Sequence, residues 1–234
     1  MVIEINNLSY EYPDGTRALR GITLKIRARR TAILGANGAG KSTLLMHLNG
    51  LLEPKGGSVR VNGLEVRKEN LFEVRRRVGL VFQDPEDQVF SSSVREDVAF
   101  GPRNLGWDEA HVEKKVGGVM RALAISHLAK KIPHHLSAGE KKKVALAGVL
   151  AMEPEFIVLD EPTANLDPKN SKMIMRILEQ LARAGTSVII ATHDIARVSN
   201  WAERVVVMKE GKILAEGGAK ILRDKKLLKR AGLG

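Results

Sequence analysis

Between the apolar run Thr31–Leu34 and the leucines Leu44, Leu45 and Leu48 lies Gly35-Ala-Asn-Gly-Ala-Gly-Lys-Ser-Thr43. No other stretch limits the fold as strongly. Glycines at 35, 38 and 40 let the backbone curl until successive N–H groups point inward and form a concave nest for anionic oxygens. The segment satisfies G-x-x-x-x-G-K-[ST] at every fixed position. The run before it reads as a buried strand, and the leucines after it as one face of a helix. The loop therefore feeds a helix N-terminus, where free N–H groups and the helix dipole favour phosphate. This predicts a nucleoside triphosphate pocket cradled by Gly35, Asn37, Gly38, Ala39, Gly40 and Thr43. In it Lys41 brings a flexible positive charge to the outer phosphates, and Ser42 offers a hydroxyl to Mg²⁺.

A chain of 234 residues can bury one large core, or one core with a small attached subdomain. No stretch approaches the ~18 apolar residues of a membrane span. The start Met-Val-Ile-Glu lacks the basic-then-apolar layout of a secretion signal. A soluble protein is expected, with any membrane role exercised through partner chains. The absence of cysteine excludes disulfides, Cys-ligated zinc and thiol catalysis together. A formal charge of +11 fits a well-solvated surface on a protein that handles polyanions, ahead of attraction to anionic lipid or nucleic acid. With aromatics at 4%, a base-stacking platform for single strands is not expected.

Along the chain, Val2–Ile5 and the alternation Ile22, Leu24, Ile26 read as strands of a β-rich opening, and Val59–Val61 before Asn62-Gly63 adds a hairpin. Val78–Phe82 is a further short strand. From Val94 to about Leu128 the pattern turns helical, with Asp108 as an N-cap, until Pro133; Glu140–Ala151 is another helix. Phe156–Leu159, Ser187–Ala191 and Arg204–Met208 are strands, and Pro168–Ala184 a helix stopped at Gly185. The order predicts an α/β fold: a mostly parallel sheet with helices on both faces, an N-terminal antiparallel β-subdomain, and an inserted α-helical subdomain over about 84–154. All of it, 1–234, is one domain. The tail 219–234 reads as a short basic amphipathic helix docked on the body.

Phe156-Ile-Val-Leu-Asp-Glu161 places Asp160 at the carboxyl end of a central strand, where open α/β sheets bind ligands. There Asp160 can hold Mg²⁺, and Glu161 can polarise a water for in-line attack on the γ-phosphorus. No N-K-x-D stretch for reading guanine is present, and a small-molecule kinase would not explain Leu136-Ser-Ala-Gly-Glu140.

That pentapeptide resembles the L-S-G-G-Q signature of ABC ATPases. The other marks of the family follow in its order: Gln83 at a strand end, Ala164-Asn-Leu-Asp167 after the Asp-Glu pair, and His193 after the strand Ser187–Ala191. The resemblance covers essentially the whole chain. It implies the P-loop core of the ABC ATPase fold and a head-to-tail dimer with two ATPs between chains. Lys41, Glu161 and His193 would be catalytic, and Ser42, Gln83 and Asp160 would serve Mg²⁺. Tyr12 would lie against adenine. Ser137, Gly139, Glu140 and Asp167 of the other chain would close over the same ATP. For Ser137 and Gly139 the chemistry agrees, since they offer a hydroxyl and an N–H at a predicted helix N-terminus. Taken alone, His193 reads as a structural histidine, Asp167 as an N-cap and Tyr12 as a half-buried turn residue.

Two positions depart from the family pattern. Ala138 stands for the first signature glycine, which a helical φ tolerates. Glu140 stands for glutamine, which puts a negative charge near phosphate. Lys141, Lys142 and Lys143 follow and are expected to offset it, so closure should be weakened rather than lost.

Val81-Phe-Gln-Asp-Pro-Glu-Asp-Gln-Val-Phe90 and Glu96-Asp-Val-Ala-Phe-Gly-Pro102 resemble the ATPase subunits of energy-coupling-factor and cobalt/nickel importers. This implies a peripheral subunit at the cytoplasmic face of the membrane. Its partners would be a second ATPase chain, identical or paralogous, a transmembrane coupling subunit and a substrate-binding membrane subunit. No specific nucleic acid is expected. Gln88, Phe90 and Phe100, with Val94 and Val98, would form a groove for a coupling helix. The transported substrate would be a metal ion or a vitamin. An ATPase of another importer class, or a non-transport ABC ATPase acting on nucleic acid or the ribosome, are the alternatives.

Overall fold

The chain opens with β1 (Ile3–Glu11) and β2 (Arg17–Ile26), paired antiparallel. Only the first few residues of β1 are evident in the sequence, because its buried residues change parity from Ile3 and Ile5 to Leu8 and Tyr10. Asn7, at φ 48°, supplies the bulge that absorbs the extra residue and keeps the apolar face inward. The computed structural model describes residues 1–233.

Next come β3 (Arg30–Leu34), α1 (Lys41–Asn49) and the hairpin of β4 (Gly56–Val61) and β5 (Leu64–Glu65). Val61 pairs with Leu64 across Asn62 and Gly63, both at positive φ, as the Asn-Gly signal requires. These strands form a sheet in the order β2-β1-β4-β5. The helix α2 (Leu71–Arg77) then leads into β6 (Val78–Val81).

Before the chain returns to the sheet it forms α3 (Val94–Asn104), α4 (Glu109–Ala122) and α5 (Ala138–Ala151). Asp108 caps α4 by accepting from the His111 N–H. The remainder is β7 (Phe156–Asp160), α6 (Pro168–Ala184), β8 (Ser187–Thr192), α7 (Ile195–Val198), β9 (Arg204–Lys209), β10 (Lys212–Gly217) and α8 (Lys225–Arg230). The second sheet has the order β10-β9-β3-β8-β7-β6, parallel from β9 to β6 with β10 antiparallel at its edge.

Alternation along these strands divides the interior in two. Phe156 and Val158 of β7 join α1 and the antiparallel sheet, while Ile157 and Leu159 face α6 and the inserted helices. Both faces are covered, so the central strands are apolar throughout. β8 lies between β3 and β7, with Leu34 level with Thr192 and Asp160 level with Ala191. The glycine loop, His193 and the Asp160–Glu161 pair therefore leave the sheet at one edge, side by side. In the tail, Leu222, Leu227 and Ala231 are buried against the body; Gly234 lies outside the described residues.

Candidate functional site

The glycine loop closes tightly between β3 and α1. A Cβ on Gly40, at φ 96°, would stand 2.5 Å from the Ala18 carbonyl oxygen, and one on Gly35 2.6 Å from that of Met208. No side chain caps α1, which leaves first-turn N–H groups for an anion. Lys41 is buried, and its Nζ donates to the carbonyls of Gly35 (2.8 Å) and Ala36 (3.1 Å). Burial lowers its pKa, against the pull of Glu161 and Asp160.

A cavity of about 680 Å³ is lined by Asn37–Thr43 together with Tyr12, Gln83, Asp160 and Glu161. Tyr12 stands on its wall, its hydroxyl 3.1 Å from Thr43 Oγ1 and its ring edge-to-face with Tyr10. Neither Ser137 nor Gly139 lines this cavity.

Asp160 is buried at the end of β7, and burial pushes its carboxyl pKa up, opposed in part by the Ser42 hydroxyl. Its Oδ1 is buried without any hydrogen-bond partner. Ser42, Gln83 and Asp160 line a second cavity as well as the first. An orphaned carboxylate oxygen beside a hydroxyl and an amide is a hard-oxygen donor set that fits Mg²⁺. Among the described residues no group of three His, Cys, Asp or Glu side chains could hold a metal by itself. So small a protein donor set suits Mg²⁺, which in nucleotide sites generally draws its remaining oxygens from phosphate and water.

Glu161 adopts φ 42°, uncommon for a residue with a side chain, and its N–H donates to the Ala191 carbonyl. Its carboxylate is held firmly. Oε1 accepts from the His193 backbone N–H (3.0 Å) and lies 2.7 Å from His193 Nδ1; Oε2 accepts from Thr192 Oγ1 (2.7 Å). His193 is half-exposed and reaches the cavity through Glu161 rather than by lining it.

The signature segment starts α5. Ser137 is its N-cap, Ala138 its exposed first residue and Gly139 its second, so the Ala138 methyl meets no strain. Ser137 and Glu140 form a reciprocal capping box. Glu140 Oε2 accepts from the Ser137 N–H (2.9 Å) and hydroxyl (2.8 Å), and these bonds hold its pKa below the usual value. The lysines behave differently from expectation. Lys141 pairs with Glu86 (2.6 Å) and Lys142 runs inward, because consecutive helical positions face different directions. The lysine whose charge acts on Glu140 is Lys131, from outside the signature helix. Asp167 caps α6 by accepting from the Asn170 N–H (2.9 Å).

Of the apolar groove residues, Val94 and Val98 are fully buried and pack the helices. Phe90 (58% exposed) and Phe100 (47%) remain outside, edge-to-face at 4.9 Å. They share a groove with Phe72 and Leu51, also exposed, and with Gln88. Gln88 spends both ends of its amide locally, donating to the Leu80 carbonyl (3.0 Å) and accepting from the Phe82 N–H (3.1 Å). Sequence reasoning missed Phe72, Thr192 and Lys142. Lys142 is 3% exposed and donates to the carbonyls of Phe82 (3.2 Å) and Gln83 (2.6 Å); burial pushes its pKa down to about 8. The Lys-Lys-Lys run around it gave no signal of a buried member.

Residues 19–164 match the ABC transporter family. The energy-coupling factor transporter ATP-binding protein EcfA of Methanothermobacter thermautotrophicus is 52% identical over 99% of this chain and 76% of its own. The solved structure of CbiO1 from Clostridium perfringens, part of the ABC transporter complex CbiONQ, is similar at a TM-score of 0.83 and 42% identity. That match covers 97% of this chain and 92% of CbiO1. The ATP-binding cassette MJ0796, solved as a dimer in a post-hydrolysis state with ADP and Pi, matches at a TM-score of 0.85 and 27% identity, over 93% of this chain and 98% of that one. A phosphate loop, a buried Asp-Glu strand end and a signature helix on one ABC ATPase fold agree with these matches: the chain belongs to the ABC transporter family, as an ATPase subunit of the energy-coupling-factor type.

Proposed function

We propose that this ATPase powers an energy-coupling-factor importer of metal ions such as cobalt or nickel, or of vitamins, by ATP-driven closure of two chains. The observation that carries the dimer is the split site. Lys41, Ser42, Asp160 and Glu161 share one cavity, while Ser137 and Gly139 stand on a separate, inserted helix outside it. The second chain is identical or paralogous. It supplies Ser137 and Gly139, flanked by Glu140 and Asp167, to the open side of the pocket.

Within the pocket the loop N–H groups and Lys41 bind the phosphates, and Tyr12 supports the adenine. Ser42, Asp160 and Gln83 are the residues that would hold Mg²⁺, which would supply charge neutralisation for the phosphates. Glu161 is the base. Its Oε1 already takes both His193 contacts, whereas Oε2 has one, from Thr192. Each carboxylate oxygen accepts about two hydrogen bonds. Oε2 is therefore the atom free to receive the proton of an attacking water, with Thr192 and His193 fixing its direction.

The groove of Phe72, Phe90 and Phe100 receives a helix of the membrane coupling subunit, which itself carries a substrate-binding subunit. In this reading the chain is peripheral at the cytoplasmic face and meets the bilayer through those partners; among the described residues no helix is long and apolar enough to cross a membrane. Co-expression with the membrane subunit tests this reading. Phe90→Asp or Phe100→Asp should abolish co-purification while ATP binding by the isolated chain persists. Assembly at the wild-type level would overturn the groove assignment.

A further inference from the structure

Lys142 lies two residues beyond Glu140, yet its side chain runs into the protein and ends on two backbone carbonyls, those of Phe82 and Gln83. These are the carbonyls at which the chain leaves β6. Lys141, also buried, holds Glu86 of the same segment. At the far end of the segment Gln88 bonds back to Leu80 and Phe82. Residues 82–88 are thus fastened at several points, two of which belong to α5. An ammonium has three donors, and two are spent here. The carboxylates of Asp160, Asp84 and Glu161 attract its charge and partly offset the cost of burial.

A buried lysine is an expensive way to fill space, and an apolar side chain of equal volume generally packs at lower cost. What the ammonium supplies is position. We propose that Lys142 is a positioning residue for ATP hydrolysis: it ties the exit of β6 to α5, so that the helix carrying Ser137 and Gly139 sets where Gln83 meets the Ser42–Asp160 cavity. The proposal rests on the reading of Gln83 as an oxygen donor in that cavity. A shift of α5 on closure would then move Gln83 with it.

The test uses the full chain with Lys142→Met, Lys142→Arg, Gln83→Ala and the Lys142→Met/Gln83→Ala double variant. In the nucleotide-free protein, Lys142→Met should speed amide exchange across residues 82–89 and leave the glycine loop unchanged. Its kcat should fall about 10- to 100-fold, the usual effect of losing a partner behind a metal ligand. ATP affinity measured without Mg²⁺ should stay as in the wild type, and Lys142→Arg, which keeps the charge, should recover part of the loss. The double variant should be no slower than Gln83→Ala alone. Unchanged exchange and kcat in Lys142→Met would overturn the proposal. So would a double variant slowed by the product of the two single factors, which would place the effect on Asp160 instead. A wild-type chain with normal turnover but indifferent to Gln83→Ala would sink the reading of Gln83, while the exchange comparison still judges the tie.

Discussion

Glu140→Gln sets two local effects against each other. In the wild type the Ser137 hydroxyl donates to the Glu140 carboxylate, so the signature serine presents a lone pair rather than a proton to anything facing it. A phosphate in that position would need the hydroxyl to turn away from a charge-assisted bond. It would also meet a carboxylate that its hydrogen bonds keep ionised at neutral pH. For unit charges about 8 Å apart the repulsion is roughly 0.5–2 kcal/mol at effective dielectrics of 80 down to 20. With only Lys131 to soften it, a gain of about 1 kcal/mol per interface is expected on removing the charge, or about fivefold in affinity. A symmetric dimer closes two interfaces, so its dissociation constant should fall roughly 30-fold. The fold should pay a little: glutamine keeps the capping box but loses the favourable charge at the helix N-terminus, a loss of about 0.3–1 kcal/mol. Sedimentation of Glu161→Gln and Glu140→Gln/Glu161→Gln at graded ATP, beside a urea melt of each, reads both effects. Adding Ser137→Ala completes the argument, since it should cost more with glutamine at 140 than with glutamate. ATP-driven dimerisation that is equal or weaker in the glutamine variant would refute the reasoning.

Gly40→Ala puts a Cβ on a backbone at φ 96° within 2.5 Å of the Ala18 carbonyl; nucleotide titration should show binding lost, with stability lowered by about 1–3 kcal/mol. Lys142 titrates near 8 in the folded chain and near 10.5 when exposed, so above pH 8 the unfolded chain holds the extra proton and folding gains stability as pH rises. Relative to Lys142→Met, the wild type should gain about 2 kcal/mol in all between pH 8 and 10, roughly 1 kcal/mol per pH unit. Urea melts across that range check it, and a pH-independent difference would contradict it.

Local signals carried much of the fold. Asp167, Pro168 and Gly185 delimit α6 as cap, first residue and stop, and Asn62-Gly63 marks its hairpin, because each answers to backbone geometry alone. β1 extended beyond its visible start because the bulge at Asn7 breaks the alternation that periodicity reads. β10 was missed for a related reason: it is an edge strand of mixed polarity, joined to β9 by Glu210-Gly211. At the site, residues whose spacing is set within one segment, such as Lys41, Ser42, Asp160 and Glu161, come together in one cavity. What spacing cannot show is where a long side chain goes once the helix is placed. The three lysines after Glu140 read alike, yet one is buried on Gln83 and another on Glu86. The same limit hid the Thr192 contact to Glu161, which depends on β8 lying beside β7.

The central claim is that the ATP pocket of one chain is completed by the signature helix of another. Sedimentation equilibrium of Glu161→Gln, which should bind ATP and hydrolyse it about 10²–10⁴-fold more slowly, tests it most directly. The account predicts a dimer with ATP, a monomer with ADP or without nucleotide, and loss of the dimer when Gly139→Asp is added. A chain that binds ATP to saturation and still sediments as a monomer would contradict it.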